Sequence, residues 1–375
     1  MRRDGGQASG VNAPVTLSSP TIRLADLREP DEAARIERFV AQQEGSIFQR
    51  PAWLTAVERG TGNRARGLVL ERGGALAAWL PLSEIRSPIF GQVLVSSGFG
   101  IGGGAMASRS EDRIRLCRAA EELAERLAVD GVELRDPAAP EDWSLVQDRH
   151  ANFAADLAPD DEAQLLAIPR KARAEVRKGL AADLEITTGR DETARAAPYA
   201  VYAESVRNLG TPVFPRSLFD AMMDAFGEDA EIMTVRHEGV PVSSVLSFHH
   251  RGAVMPYWGG GTPAARTLHS TERMYYALMC RARARGCTRF DFGRSKTGSG
   301  PYRFKKHWGF APEPLVYRLW TAPGRPPRNI DPSDEGHSRA IDLWKRLPLG
   351  LANRLGPAIA RGCLLYTSPS PRDRG

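Results

Sequence analysis

Only four cysteines occur in 375 residues (Cys117, Cys280, Cys287 and Cys363), and no two stand at metal-binding or redox spacing. That scarcity excludes a disulfide-stapled fold and points to a reducing compartment, the cytoplasm. The sequence also lacks His-x-x-x-His, Cys-x-x-Cys and Gly-x-Ser-x-Gly. Metallohydrolase and serine-hydrolase chemistry therefore have no residues to rest on, and no metal is expected. His249 and His250 are adjacent on an expected strand, so they face opposite ways and cannot share an ion. No apolar run follows Met1-Arg-Arg within the first thirty residues, and the Ser87–Ser108 stretch is broken by glycines and serines. Neither a secretory leader nor a membrane span is expected. Charge of one sign is not in large excess either. A net charge of +6 fits local basic sites better than a surface coated for nucleic acid, so DNA is not an expected partner.

What is present is a globular composition, with 42% apolar and 26% charged residues. The length exceeds one ordinary core, which predicts two domains. The end of the chain is set apart. Cys363-Leu-Leu-Tyr-Thr-Ser-Pro-Ser-Pro-Arg-Asp373 reads as a translated sequencing adapter, so 363–375 is expected to be read-through.

The chain repeats itself. Phe48-Gln-Arg-Pro-Ala-Trp-Leu54 resembles Phe214-Pro-Arg-Ser-Leu-Phe219, and each is followed by a hairpin turning at glycine (Gly73-Gly74 and Gly239). A third strand is expected to end in Gly102-Gly-Gly104 and in Gly259-Gly-Gly261. A helix follows (Asp112–Val129 and Thr271–Arg285), then a strand ending on Asp136 or Asp291. Offsets of 166, 157 and 155 residues keep the order while loop lengths drift. Opening helices of the second copy are expected at Pro198–Arg207 and Pro215–Phe226, with proline in the first turn. Glu313–Thr321 is expected to supply the second copy's last strand. The pattern predicts an α/β protein of two duplicated units.

Three segments bear chemistry. The first is Arg289–Gly309: a buried strand with Phe290 and Phe292, a loop with three glycines, and a short basic-aromatic helix over Pro301–Trp308. Residues 294–306 hold five cations (Arg294, Lys296, Arg303, Lys305 and Lys306) and no carboxylate, which predicts a ligand or transition state with negative charge. It is not a P-loop, because Gly298-Ser-Gly300 replaces the required Gly-Lys-Ser/Thr. The second is a helix over 170–178 whose Arg170, Arg173 and Arg177 share one face, flanked by Lys171 and Lys178; guanidinium forks suit phosphate or carboxylate, and a solvated basic face is the bland alternative. The third is Trp258-Gly-Gly-Gly-Thr262 leading to a helix N-terminus at Ser270 and Thr271, where backbone can approach a ligand closely and an anion is favoured. Asp291 is read either as a base for an incoming amine or as an orienter of Arg294 or Lys296; the matching Asp136 argues for orienting.

The basic helix, Asn208–Phe219, Pro241–Ser247, Tyr257–Thr262 and Phe290–Lys296 through Phe304-Lys-Lys-His-Trp-Gly309 together resemble the FemAB family, in the branch associated with PEP-CTERM/exosortase and exopolysaccharide loci. The likeness covers roughly residues 20–362. It implies two tandem GNAT-like (acyl-CoA N-acyltransferase) domains at 21–155 and 156–322, the second carrying the active site. A disordered N-terminus (1–20) and a linker with amphipathic C-terminal helices (323–362) complete the expected layout. The implied activity is transfer of an acyl or aminoacyl group to an amine of an envelope or exopolysaccharide precursor. The implied reaction centre is Phe304-Lys305, with Lys305 facing the oxyanion, Tyr302 relaying a proton, and Asp291 beside them. Arg170, Lys171, Arg173, Arg177, Arg294 and Lys296 would hold an anionic glycan or nucleotide-linked acceptor. Gly259, Gly260, Gly261, Ser270 and Thr271 would hold the donor's pyrophosphate. The chain lacks the long helical hairpin arm that wall-building members link to tRNA, which leaves acyl-CoA and aminoacyl-tRNA both open as donor; no permanent cofactor is implied. A non-catalytic module that binds an anionic glycan precursor is the competing reading. Trp344 and several leucines lie among Lys345, Arg346, Arg354 and Arg361, a composition that fits contact with the inner face of an anionic membrane or packing back onto the domains.

Overall fold

A computed structural model describes residues 19–88, 91–326 and 338–362. The expected N-terminal tail (apart from 19–20) and the adapter-like end lie outside them. The first unit runs β1 (Thr21–Leu24), α1 (Pro30–Gln42), α2 (Pro51–Thr61), β2 (Arg64–Ala65), β3 (Leu68–Arg72), β4 (Ala75–Leu80), β5 (Leu82–Ser87) and β6 (Gly91–Ser96). It continues with β7 (Met106–Ala107), α3 (Ser110–Arg126), β8 (Gly131–Leu134) and β9 (Ser144–Val146). Pro81 separates β4 from β5, because a residue without N–H cannot continue the ladder. β4 then joins a sheet ordered β1-β3-β4-β7, while β5 joins a second one with β2, β6 and β8.

The second unit opens with β10 (His150–Asp156), α4 (Asp161–Ala167), α5 (Arg170–Ala181), β11 (Glu185–Gly189), α6 (Glu192–Asn208) and α7 (Arg216–Phe226). Three long strands follow, β12 (Ala230–His237), β13 (Val240–His250) and β14 (Ala253–Gly261), then α8 (Ala264–Leu268) and α9 (Ser270–Ala284). β15 (Arg289–Asp291), β16 (Ser295–Lys296), α10 (Gly300–His307), β17 (Pro312–Pro314) and β18 (Tyr317–Thr321) end the globular part. The helices α11 (Ser338–Arg346) and α12 (Leu349–Ala360) close the described chain.

The two units follow one element order. β3, β4/β5, β6, α3 and β8 correspond in sequence of elements to β12, β13, β14, α9 and β15, and both hairpins turn on two residues at positive φ (Gly73-Gly74 and Glu238-Gly239). In each unit the strand after the hairpin pairs in parallel with the strand after the helix: β6 with β8, and β14 with β15. The last position of each sheet is exchanged. β10, which precedes the second unit's helices, lies antiparallel to β15. β18, at the far end of the chain, lies antiparallel to β8 and β9 of the first unit.

This exchange corrects two expectations. The boundary at 155/156 would cut through β10, and Glu313–Thr321 does not complete the second unit's sheet as one strand. Only β17 pairs there, with β10, while β18 crosses to the first. Pro198 also differs from its expected first-turn place. It lies inside α6, whose N-terminus is capped by Asp191 accepting from Ala194 N (2.8 Å). The helix thus begins at Glu192, well before Pro198, because an Asp cap outweighs the signal from a following proline.

One apolar core spans both units. Trp53, Ile85 and Val95 of the first pack with Tyr202, Leu218, Met222, Phe248 and Trp258 of the second. Helices α2 and α7 cross so closely that a Cβ on Gly60 would lie 2.5 Å from Leu218 Cα. Ser217 Oγ donates to Gly60 O (2.6 Å) at that crossing. The C-terminal helices lie on α6. Trp344 Nε1 donates to Thr211 O (3.1 Å), and a Cβ on Gly356 would sit 2.9 Å from Val213.

Candidate active site

β14 and β15 pair only over Ala253–Val254 with Arg289–Phe290, and a register shift opposite Leu246/Ser247 leaves Tyr257 as an extra residue in β14. A bulge bends and re-aims the strand carrying it. Beyond Phe290 the two strands part, and the loop after β15 enters the space beside Tyr257. Asp291, Arg294 and Lys305 gather there.

Lys305 is 3% exposed, on the inner side of α10. Its Nζ donates to Gly293 O (2.9 Å) and Arg294 O (3.1 Å), with the rings of Phe153 and Phe292 at 5.5 and 5.7 Å. Burial lowers its pKa to about 7; Asp291 works against that shift and Arg294 adds to it. Two hydrogens of the ammonium are used, and the third has no protein acceptor among the described residues.

Asp291 is half-buried, and burial raises its pKa although hydrogen bonds and Lys305 pull it down. Its Oδ1 accepts from Gly293 N (2.9 Å) and from Asn152 Nδ2 (3.1 Å). It orients neither Arg294 nor Lys296, contrary to that expectation: a short carboxylate finds the backbone N–H two residues on before it reaches a long cation. Asp136 does the same in the first unit, accepting from Ala138 N (2.7 Å). The shared geometry explains why an Asp stands at the end of β15 and two residues past the end of β8.

The five loop cations do not converge on one ligand. Arg294 is 5% exposed and donates to Tyr317 Oη (3.0 Å), while Tyr317 Oη donates to Ile101 O (3.4 Å). It ties β18 and the first unit's 97–104 loop to the second unit, so it is not an open anion site. Tyr257 adds a parallel tie by donating to Phe99 O (2.5 Å). Close by, the buried pair Arg135–Glu133 (3.0 Å) is steadied by Arg135 donating to Gly100 O. Helical spacing turns Arg303 and Lys306 to solvent, and Lys296 is half-exposed. Phe304 packs at 4% exposure among Tyr275, Phe292 and Trp308. Tyr302 is half-buried, its ring edge-on to Phe153 at 5.2 Å.

On α5, Ala172, Val176 and Gly179 face inward, which leaves Arg170, Lys171 and Arg177 exposed. Arg173 is half-buried and donates to Leu166 O (3.0 Å). The start of this helix adjoins the end of α10, where a Cβ on Gly309 would sit 3.1 Å from Pro169.

The expected donor cradle is filled. Gly259, Gly260 and Gly261 lie in β14 opposite Ser243–Val245, and a Cβ on Gly260 would lie 2.6 Å from Ser205 Cβ. Ser270 and Thr271 are buried, with Ser243 Oγ 2.5 Å from Ser270 Oγ and 3.2 Å from Thr271 Oγ1. These glycines serve the approach of α6 and α8 to the strand, and the start of α9 is sealed from within. Gly259–Gly261 do end their strand as expected, whereas the first unit's Gly102–Gly104 do not, since β6 stops at Ser96.

Sequence reading missed Asn152, Phe153, Tyr257 and Tyr317 as parts of the site. Nothing marks Asn152, because its partner Asp291 is 139 residues away. Tyr257, inside a quoted motif, was the one within reach.

A sequence model of the acetyltransferase (GNAT) domain matches residues 169–306. Residues 169–306 are a GNAT acyltransferase domain. The solved structures agree on fold. FemX superposes with a TM-score of 0.56 at 15% identity, covering 79% of this chain and 96% of its own. A tandem GNAT protein from the clavulanic acid biosynthesis pathway gives 0.54 at 13%, covering 83% and 100%. The C-terminal domain of a putative lysylphosphatidylglycerol synthetase from Agrobacterium fabrum gives 0.52 at 11%, covering 77% and 92%. No functionally curated protein matches the sequence. The first unit repeats the second's element order, so the two β-sheet units resemble a tandem GNAT arrangement. Among the described residues no helix is long and apolar enough to cross a membrane, and no cluster of metal-binding side chains occurs.

Proposed function

We propose that the chain transfers an acyl or aminoacyl group from an activated donor to an amine of an anionic cell-envelope or exopolysaccharide precursor, with Lys305 and Asp291 at the reacting atoms. The observation that carries this is Lys305 itself: a buried ammonium held by two carbonyls, with one hydrogen unassigned, next to a carboxylate whose Oδ2 has no partner among the described residues. The acceptor nitrogen attacks the acyl carbon, a C–N bond forms, and the carbonyl oxygen gains negative charge. A fixed donor aimed at that oxygen stabilises the transition state more than the neutral carbonyl. The C–S bond of an acyl-CoA or the C–O bond of an aminoacyl ester then breaks. The amine's proton passes to Asp291 and on to the leaving group, with Tyr302 as a candidate relay. The filled start of α9 disfavours a pyrophosphate there, so the donor is assigned instead to the gap between the parting strands β14 and β15. Arg170, Lys171 and Arg177 stay open to the acceptor's anionic groups. The outward leucines of α11 and α12 would hold the chain near a lipid-linked acceptor.

Mass analysis of products from candidate donors tests the reading. Acylated product is expected from the native chain, and Lys305→Met should fold yet transfer about two to three orders of magnitude more slowly. Full activity in that variant would remove Lys305 from the chemistry. Saturable binding of a precursor without any mass shift would favour the binding-module reading.

A further inference from the structure

A cavity of about 420 Å³ lies in the first unit, with no lining residue from β14, β15 or α10; its lining includes Thr61, Asn63, Arg64, Arg66, Arg86, Glu84 and Arg361. Its walls come from the end of α2, from β2 and β5, and from the residue just after α12. Four arginines therefore meet one carboxylate. Glu84, 6% exposed, accepts from Arg66 Nε (2.7 Å) through one oxygen and from Arg86 Nε (2.6 Å) through the other. Burial opposes its charge, and the two guanidiniums more than offset that, so its pKa is lowered. Glu84 thereby fixes two guanidiniums by their inner nitrogens. The terminal nitrogens of Arg66 have no protein partner among the described residues, and Arg86 spends its own on Gln92 and Leu127 O.

The other two arginines are less engaged. The Arg64 side chain is exposed and has no hydrogen bond or ion pair among the described residues. Among the described residues the Arg361 side chain makes only a long contact from Nε to Ala358 O (3.5 Å), and its backbone carbonyl accepts from Asn63 Nδ2 (2.9 Å), which holds it at the rim. The C-terminal end of α2 points here and neutralises roughly half a charge. Together with Glu84 it leaves more than two positive charges uncompensated. A solvated surface would let such arginines spread apart; here a buried carboxylate fixes Arg66 and Arg86, a backbone bond to Asn63 fixes Arg361, and Arg64 lines the same space from β2.

We propose that this cavity binds a phosphate-bearing anion, either a soluble diphosphate or the headgroup of an anionic lipid. A carboxylate is satisfied by one guanidinium fork, whereas forks arriving from three elements need acceptor oxygens on several sides. The volume is ample for a diphosphate and lies within the range of small-molecule sites. The site uses none of the residues assigned to acyl transfer.

Titration calorimetry of the full chain with inorganic pyrophosphate at low salt tests it, alongside sedimentation with phosphatidic acid vesicles and with phosphatidylcholine vesicles. Saturable one-to-one pyrophosphate binding, weakened at least tenfold in the double variant Arg64→Gln/Arg361→Gln, supports the site with a soluble ligand. Silence toward pyrophosphate, with phosphatidic acid vesicles preferred and that preference lost in the same variant, supports a lipid headgroup. The variant leaves Leu343, Leu351 and Leu355 in place, so apolar attachment by the C-terminal helices is not what it removes. Neither side chain makes an ion pair among the described residues, and an unchanged melting temperature verifies that the variant is folded. Binding that the double variant leaves unchanged, or no binding to either probe, overturns the proposal.

Discussion

Burial and position set the properties of the residues at the proposed centre. Lys305 lies among Phe153, Phe292 and two carbonyl oxygens, and desolvation brings its pKa to about 7. In the proposed step it must be charged to stabilise an oxyanion, and its charge is lost as pH rises through that value. The ratio of kcat/KM for the native chain to that for Lys305→Met is therefore expected to be constant below about pH 7 and to fall above it, approaching tenfold per unit. Taking the ratio cancels titration of the acceptor amine, which both proteins share. A flat ratio from pH 6 to 9 would show that Lys305 does not act through its charge. Arg294 marks the contrast. It has the same cationic chemistry in the same loop, but its link to Tyr317 makes it a tie between units.

Among the elements, α11 and α12 combine two roles. Ala352, Gly356 and Ala360 face inward at a spacing of four, while Leu343, Leu351 and Leu355 are 66%, 44% and 44% exposed. Lys345, Arg346 and Arg354 are also exposed. Packing back onto α6 and presenting an apolar, basic outer face are thus compatible, because opposite sides of the helices serve them. Sedimentation with anionic vesicles should fall at least tenfold for Leu343→Ser/Leu351→Ser/Leu355→Ser, since each partly inserted leucine contributes about 1 kcal/mol. The inward face is untouched, so the melting temperature should hold. Undiminished vesicle binding would remove the leucines from any membrane contact.

For the whole molecule, the exchanged strands decide stability. β18 completes the first sheet and β10 the second, while a common core runs through Trp53 and Trp258. A chain cut after Ala311 keeps the whole GNAT match and nearly all of the second unit, yet it uncovers β8 and removes β17. It is expected to lose the cooperative unfolding of the full chain, seen as a broadened or lowered calorimetric transition, and to aggregate through the bared strand edges. A truncated chain with an undiminished melting temperature would show that the units are independent.

Local patterns sufficed for much of this. The hairpins at Gly73-Gly74 and Gly239, the helices near 112–129, 271–285 and 301–308, and the matching Asp136 and Asp291 were all legible in the sequence, because turn chemistry, apolar periodicity and a short side chain's bond to its own backbone act within a few residues. The sequence also singled out Lys305 as a candidate, through a resemblance and not through any local rule. Only the tertiary structure decided that Lys305 is buried while Lys306 is not, that Gly259–Gly261 are filled by packing, and that β10 and β18 change places. Those outcomes depend on which surfaces meet across more than a hundred residues of chain, and desolvation and strand pairing are properties of that meeting.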